Sequence, residues 1–177
     1  MIAVFDLDGT LALIEHRMHY ITHPKEECEN LINDSKPGIN CALPNFMCKC
    51  KKFEPDYDSF NMECVNDHPN ENIILLAQMC KKMDMEIVII SGRSDIAKKE
   101  TIDWLSKNNI NYDHLFMRQQ GDYRNDEVLK LELLNNFLGD SPMAKSRVKF
   151  VVEDRKRVVE MWRREGYTCL QVAPGNF

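Results

Sequence analysis

Apolar residues fall into short runs along the chain, each stopping abruptly on a polar cluster. Ile2–Phe5 is wholly apolar and stops at Asp6. Glu86-Ile-Val-Ile-Ile90 stops at Ser91-Gly92-Arg93. A third run lies around 114–117, a fourth over 148–152 stops at Glu153-Asp154, and a fifth lies near 169–172. Runs this short and this apolar predict strands buried on both faces. Between them, the apolar spacing predicts helices over 73–82, 95–107, 126–138 and 157–165. Strand–helix alternation implies an α/β fold, a Rossmann-like parallel sheet with helices on both faces. In such sheets ligands gather beyond the carboxyl ends of the strands, and three of the polar clusters stand there.

The rhythm breaks between residues 13 and 71. That stretch holds Pro24, Pro37, Pro44, Pro55 and Pro69 and five of the seven cysteines, and only 26–33 has helical spacing. Unstructured connections of that length are uncommon unless they serve a function. The expectation is a loop-rich cap or lid, 13–71, inserted between the first two strands of a core built from 1–12 and 72–177.

Composition narrows the class. With 177 residues, 44% apolar and 29% charged, the chain suits one folded domain rather than a disordered polymer. No apolar stretch is long enough to span a bilayer. The first residues lack a basic leader and are read as a strand rather than a signal peptide. Seven cysteines without an export signal suggest reduced thiols and a cytoplasmic location, not disulfides. A net charge of −5 argues against tight non-specific binding to long duplexes, though not against a nucleic-acid substrate held in a local basic groove.

The chemistry concentrates at the strand ends. Asp6 and Asp8 lie two apart, so an extended backbone aims both carboxylates at one place. Two carboxylates that close repel unless a cation or a proton lies between them. Asp6 is the candidate nucleophile, forming an acyl phosphate. Asp8 is the candidate general acid, protonating the leaving oxygen and then activating water. The plainer alternative is a strand-end Asp-Gly turn. Ser91, Gly92 and Arg93 offer a hydroxyl and backbone N–H groups to phosphate oxygens, or form an ordinary turn. Asp126 and Lys130 share a helix face, either as a solvated ion pair or with Lys130 as the fixed cation that phosphoryl transfer needs. Asp154, with Glu153 beside it, is the candidate Mg²⁺ site, since magnesium binds through a few carboxylates, water and substrate phosphate.

Taken in order, Asp6/Asp8, Ser91, Lys130 and Asp154 match the four motifs of the haloacid-dehalogenase superfamily, which the chain resembles. The stretches Arg118-Gln-Gln-Gly-Asp-Tyr-Arg-Asn-Asp126, Glu153 to Gly166 and Gln171 to Phe177 resemble the 3′-phosphatase half of phage-type polynucleotide kinase-phosphatases. The likeness covers the first strand and residues from 73 onward, and is poor over the insertion. It implies a Mg²⁺-dependent phosphatase removing 3′-phosphates from DNA or RNA ends. On that pattern Asp6 and Asp8 are catalytic. Thr10, Arg17, Ser91, Gly92, Arg93 and Lys130 handle the substrate phosphate. Asp126 joins them by positioning Lys130 or a neighbouring arginine. Asp6, Asp8, Glu153 and Asp154 surround the metal, with Glu153 standing where the family usually has Asp. No Gly-x-x-x-x-Gly-Lys-[Ser/Thr] loop occurs in the sequence, so any 5′-kinase activity would lie elsewhere.

Two rival functions stay open on sequence grounds. One is a phosphatase of free nucleotides or another small phosphomonoester. The other is a non-catalytic module with the same fold. Cys41, Cys48, Cys50 and Cys64, with His16, His19, His23 and His68, could furnish a structural Zn²⁺ site, but only one close cysteine pair exists and reduced thiols are the favoured reading. The run Lys49-Cys-Lys-Lys52-Phe53 and the basic residues Arg155, Lys156, Arg157, Arg163 and Arg164 are candidate nucleic-acid contacts, against a solvated-surface alternative. Met161 and Trp162 are expected in the core.

Overall fold

The computed structural model describes residues 1–22, 54–139 and 143–174. Five parallel strands form the main sheet in the order β5-β4-β1-β6-β7. They are β1 (Ile2–Phe5), β4 (Glu86–Ser94), β5 (His114–Arg118), β6 (Val148–Glu153) and β7 (Cys169–Gln171). A small antiparallel pair, β2 (Ala12–Leu13) with β3 (His68–Pro69), lies apart from it. The helices are α1 (Tyr57–Met62), α2 (Glu71–Lys82), α3 (Lys98–Lys107), α4 (Asp126–Leu138), α5 (Ala144–Arg147) and α6 (Lys156–Arg164).

β1 is central and buried along its whole length, which is why its residues show no polar alternation. Alternate side chains nonetheless serve opposite faces. Ala3 and Phe5 pack with Ile74 and Ala77 of α2 and Trp104 and Leu105 of α3. Ile2 and Val4 pack with Leu134 of α4 and Val158, Val159, Met161 and Trp162 of α6. Two hydrophobic layers therefore clamp one strand, and its carboxyl end at Asp6 is held by the N–H bond to the Val152 carbonyl, 2.9 Å. Met161 and Trp162 occupy the core as expected.

Several boundaries differ from those the pattern predicts. β4 continues through Ser91-Gly92-Arg93 to Ser94, with a register shift against β5 between Ser91 and Ser94. An irregular extended segment, rather than a turn, thus carries those three residues. The helix predicted from 95 begins with a 3₁₀ turn, Asp95–Ala97, before α3. The stretch 54–71, expected to be loop, contains α1 and a 3₁₀ turn, Glu63–Asn66. The six residues of α1, capped by Asp56 accepting the Ser59 N–H, are too few for an apolar period to show. A further 3₁₀ turn spans Glu15–Tyr20. Ala12 pairs with Pro69 and Leu13 with His68, so the stretch is pinned where it leaves and re-enters the core. The helix predicted at 26–33, Cys41, Cys48, Cys50, His23 and the basic run at 49–53 lie outside the described residues. Among the described residues no helix is long and apolar enough to cross a membrane.

Trp162 is buried, yet its indole Nε1 has no hydrogen-bond partner. Trp162→Ala is expected to cost about 3–5 kcal/mol by opening a cavity. Trp162→Phe should cost much less, because removing an unpartnered N–H forfeits no bond. Urea denaturation of the two variants checks the order; equal losses would contradict it.

Candidate active site

Asp6 sits just beyond β1. Its Oδ1 accepts Lys130 Nζ of α4 at 2.6 Å, and its Oδ2 accepts the Thr10 hydroxyl at 3.3 Å. Lys130 also donates to Glu153 Oε2 at 2.8 Å, and the second Glu153 oxygen accepts the Arg155 N–H at 3.2 Å. Thr10 reaches Asp154 Oδ1 at 3.4 Å. Asp154 Oδ2 is buried with no hydrogen-bond partner.

Gly9 allows this crowding. Its φ of +84° is a left-handed conformation that suits glycine, and a Cβ there would lie 2.3 Å from Asp154 Oδ2. The Gly9 N–H closes the turn onto the Ala12 carbonyl, 2.8 Å, while the Leu7 carbonyl receives the N–H groups of Thr10 and Ala12.

Asp8, expected beside Asp6 at a shared cation, is turned to two buried arginines instead. Arg17 Nη2 lies 2.5 Å from Asp8 Oδ1, and Arg93 Nη2 bonds the same oxygen. Both arginines also grip Asp67: Arg17 Nε at 2.7 Å from Oδ1, Arg93 Nη2 at 2.9 Å from Oδ2. Arg17 Nη1 donates further to the Phe60 carbonyl, and Arg93 Nη1 to the Thr101 hydroxyl. Trp104 Nε1 fixes the Asp67 main chain by donating to its carbonyl at 2.8 Å. Asp67 lies in the stretch 13–71 that the sequence pattern reads only as a loop-rich insertion, and nothing in its own neighbourhood marks it as a partner of two arginines.

These surroundings separate the two aspartates. Burial, and then the nearby Glu153, push Asp6 up to about 7 despite Lys130. Burial raises Asp8 too, but Arg93 and Arg17 outweigh it and hold the carboxyl below its usual range. Burial and Asp6 push Asp154 up to about 6, and Glu153 is raised by burial. Burial would lower the Lys130 ammonium, yet Asp6 and Glu153 more than offset it, so its pKa is raised.

Ser91 is buried and its hydroxyl accepts the Arg93 N–H at 3.1 Å, leaving its own proton to donate. Gly92 lets a carboxylate approach: a Cβ there would stand 2.8 Å from Asp126 Oδ1. Asp126 opens α4 between arginines, paired with Arg118 and Arg155, and with Arg157 at 3.9 Å. The side-chain hydrogen bonds of its carboxylate go to Arg118 and Arg155, while Lys130 acts on it as a nearby charge. Arg118, given no role by the sequence pattern, also donates to the Gly92 carbonyl at 2.9 Å.

Asp6, Glu153 and Asp154 can each present an oxygen within 4.8 Å of the other two. Donors around Mg²⁺ at about 2.1 Å stand about 3–4 Å apart, so a small contraction suffices. The orphaned Asp154 Oδ2, the all-oxygen donor set and the raised Asp6 and Asp154 all fit a hard divalent cation. Of the four carboxylates expected at the metal, three converge and Asp8 points to the arginines.

Residues 55–177 match the family described as polynucleotide kinase PNKP phosphatase domain. The chain is 34% identical over 108 residues to a protein of Autographa californica nuclear polyhedrosis virus provisionally described as a bifunctional polynucleotide kinase/RNA ligase; the match covers 60% of this chain and 15% of that one. The chain is similar to a component of the Pnkp1/Rnl/Hen1 RNA repair complex, with a TM-score of 0.71 and 28% identity over 99% of this chain and 43% of that one. A phosphatase-like protein from Clostridium difficile shares the fold, with a TM-score of 0.60 and 16% identity over 96% of this chain and 83% of that one. The chain thus spans less than half the length of the first two relatives.

Two outcomes follow from the charge arrangement. Unfolded, Asp6 ionises near 3.8; folded, near 7. In that window the folded protein holds a proton the unfolded chain has released, so stability falls as pH rises through it and is flat above. Without divalent cation, the stability of wild type should decline from about pH 4 to about pH 7. Asp6→Asn should make that decline shallower, most of all near its upper end, leaving the part contributed by Asp154 and Glu153, as thermal denaturation across pH will show. Asp67→Ala strips two buried arginines of one carboxylate and is expected to cost about 3–5 kcal/mol; a loss within experimental error would deny Asp67 its role.

Proposed function

This chain belongs to the polynucleotide kinase phosphatase-domain family, with a phosphatase fold of the haloacid-dehalogenase type, and on that footing we propose that it is a Mg²⁺-dependent phosphomonoesterase removing 3′-phosphates from DNA or RNA ends through an aspartyl-phosphate intermediate. The observation that carries the reading is the division of labour between Asp6 and Asp8. Asp6 faces a fixed ammonium and two carboxylates, Asp8 faces two guanidiniums, and the two stand at one strand end. Paired carboxyls whose surroundings drive their affinities for protons apart are the mark of distinct chemical roles.

In this scheme an Asp6 oxygen attacks phosphorus, the bond from phosphorus to the 3′-oxygen breaks, and Asp8 delivers a proton to that oxygen. Asp8 then takes a proton from water as the water oxygen attacks the acyl phosphate, releasing inorganic phosphate and restoring Asp6. Asp6 must be ionised to attack. Asp6, Glu153 and Asp154 would hold the Mg²⁺, whose charge favours the anionic carboxylate and offsets that of the phosphoryl group. Lys130, already bonded to Asp6, stays near the transferring group as a fixed positive charge.

The arginines supply a control on Asp8. While Arg17 and Arg93 bond its carboxylate, it holds no proton to give. A substrate phosphate competes for the same N–H groups, and each bond diverted from Asp8 makes that carboxyl more basic. Substrate binding and arming of the acid are then one event. The acceptor side of the proposal, a nucleic-acid 3′ end, is supported by the family match over residues 55–177 and by the RNA-repair relative.

The test compares a 3′-phosphorylated oligonucleotide with 3′- and 5′-mononucleotides, with Mg²⁺ and with EDTA. Turnover should favour the oligonucleotide at least tenfold and vanish in EDTA. Asp6→Asn should be inactive and yield no acid-stable ³²P-labelled protein on rapid quenching. Mononucleotides hydrolysed as well as the oligonucleotide would remove the nucleic-acid end from the proposal.

A further inference from the structure

Tyr123 is 94% exposed, in a chain where most large apolar side chains are covered. Among the described residues its ring makes no hydrogen bond and no contact with another ring. A side chain left this bare is usually mobile, yet every residue around it is tied down. Arg118 Nη1 donates to the carbonyls on both sides of Tyr123, that of Asp122 at 2.9 Å and that of Arg124 at 2.8 Å. The Asp122 N–H closes a turn onto the Gln119 carbonyl at 3.0 Å, across Gly121 at φ +85°. The Asp122 carboxylate receives the N–H and guanidinium of Arg124, which also reaches Glu132 of α4 at 2.6 Å. The Gln120 N–H is fixed to Asp95 Oδ1 at 2.8 Å. The loop is thus a rigid bracket whose tip is an unoccupied aromatic face.

The bracket stands beside the candidate active site. The guanidinium that holds the Tyr123 backbone donates through its Nε to the Gly92 carbonyl, between Ser91 and Arg93. Its Nη2 pairs with Asp126, the first residue of the helix that carries Lys130. One side chain therefore spans the distance from the phosphate-facing segment of β4 to the Tyr123 loop. The carboxylates around the loop are each engaged: Asp122 and Glu132 share Arg124, Asp126 is held by Arg118 and Arg155, and Asp95 accepts the Gln120 N–H.

We infer that Tyr123 is a stacking platform for a base near the 3′ end of the substrate strand, and so a specificity-determining residue for polynucleotides over small phosphomonoesters. This deepens the proposed function and rests on it. An aromatic face accepts any base, because every base has a π-face, so the platform selects for a strand without selecting its sequence. Pre-ordering the loop removes most of the entropy cost of making the stack.

The test measures kcat and KM for wild type, Tyr123→Ala and Tyr123→Phe on three substrates with Mg²⁺. These are a 3′-phosphorylated oligonucleotide, the same strand made abasic at its last three positions, and glycerol phosphate, which has no ring. Tyr123→Ala should raise KM on the intact strand about tenfold, in line with the loss of one stacked base. It should leave glycerol phosphate and the strand without bases at its 3′ end within about twofold of wild type, whereas Tyr123→Phe should match wild type throughout. Equal KM for wild type and Tyr123→Ala on the intact strand, or a loss of the same size on all three substrates, would overturn the inference. Should wild type turn over glycerol phosphate as well as the intact strand, the polynucleotide reading itself falls, a result distinguishable from an indifferent Tyr123.

Discussion

The site depends on an uneven distribution of buried charge at the end of β1. On one side Asp8 and Asp67 face Arg17 and Arg93, two negative groups against two positive. On the other, Asp6, Glu153 and Asp154 cluster around one ammonium, Lys130, which bonds Asp6 and Glu153, while Arg155 acts on Asp154 from its pairing with Asp126. The first half is closed electrically; the second has a surplus of carboxylate that protons can relieve, or a cation. Raised affinities for protons at Asp6, Glu153 and Asp154 express that surplus, and the bare Asp154 Oδ2 shows where it is sharpest. A divalent ion would complete the second half without disturbing the first.

Buried charge of this density costs stability, so the remainder of the fold must hold it in place. β1 does so by being packed from both faces and paired on both edges. Small features then tune the approach of groups that would otherwise stand apart. Gly9 admits Asp154, Gly92 admits Asp126, and Arg118 ties the β4 segment to the start of α4. Loss of either glycine would alter distances between charges rather than remove a charge.

What the sequence shows best is whatever is local. Apolar runs mark all five main strands, most clearly β1 and β4, which are buried on both faces and need no alternation, whereas the edge strands β5 and β7 are only partly covered. Asp6, Ser91 and Glu153-Asp154 are visible because they stand where such runs end. Asp126 and Lys130 are visible because helical spacing puts them on one face. Side-chain direction is not local. The i, i+2 rule aims Asp8 at the same place as Asp6, but the turn at Gly9 and the pull of two arginines take it elsewhere. Asp67 lies 50 residues from Arg17 in the chain and 26 from Arg93, and nothing in its own neighbourhood announces either partner. The bracing of the 119–125 loop is equally hidden, since Arg118 spends its donors on main-chain carbonyls that carry no sequence signature.

The position of β1 has a consequence for how the molecule comes to exist. It is the first strand in the sequence, yet its partners are β4 and β6, more than eighty and more than one hundred and forty residues later. During synthesis the wholly apolar Ile2–Phe5 stays unpaired until β4 follows, more than eighty residues later, and open on its other edge until β6 does. Parallel pairing across such separations is slow, and an exposed strand of this kind is prone to pair with the wrong neighbour. Catalytic competence would then be among the last properties to form, when β6 brings Asp154 to Asp6.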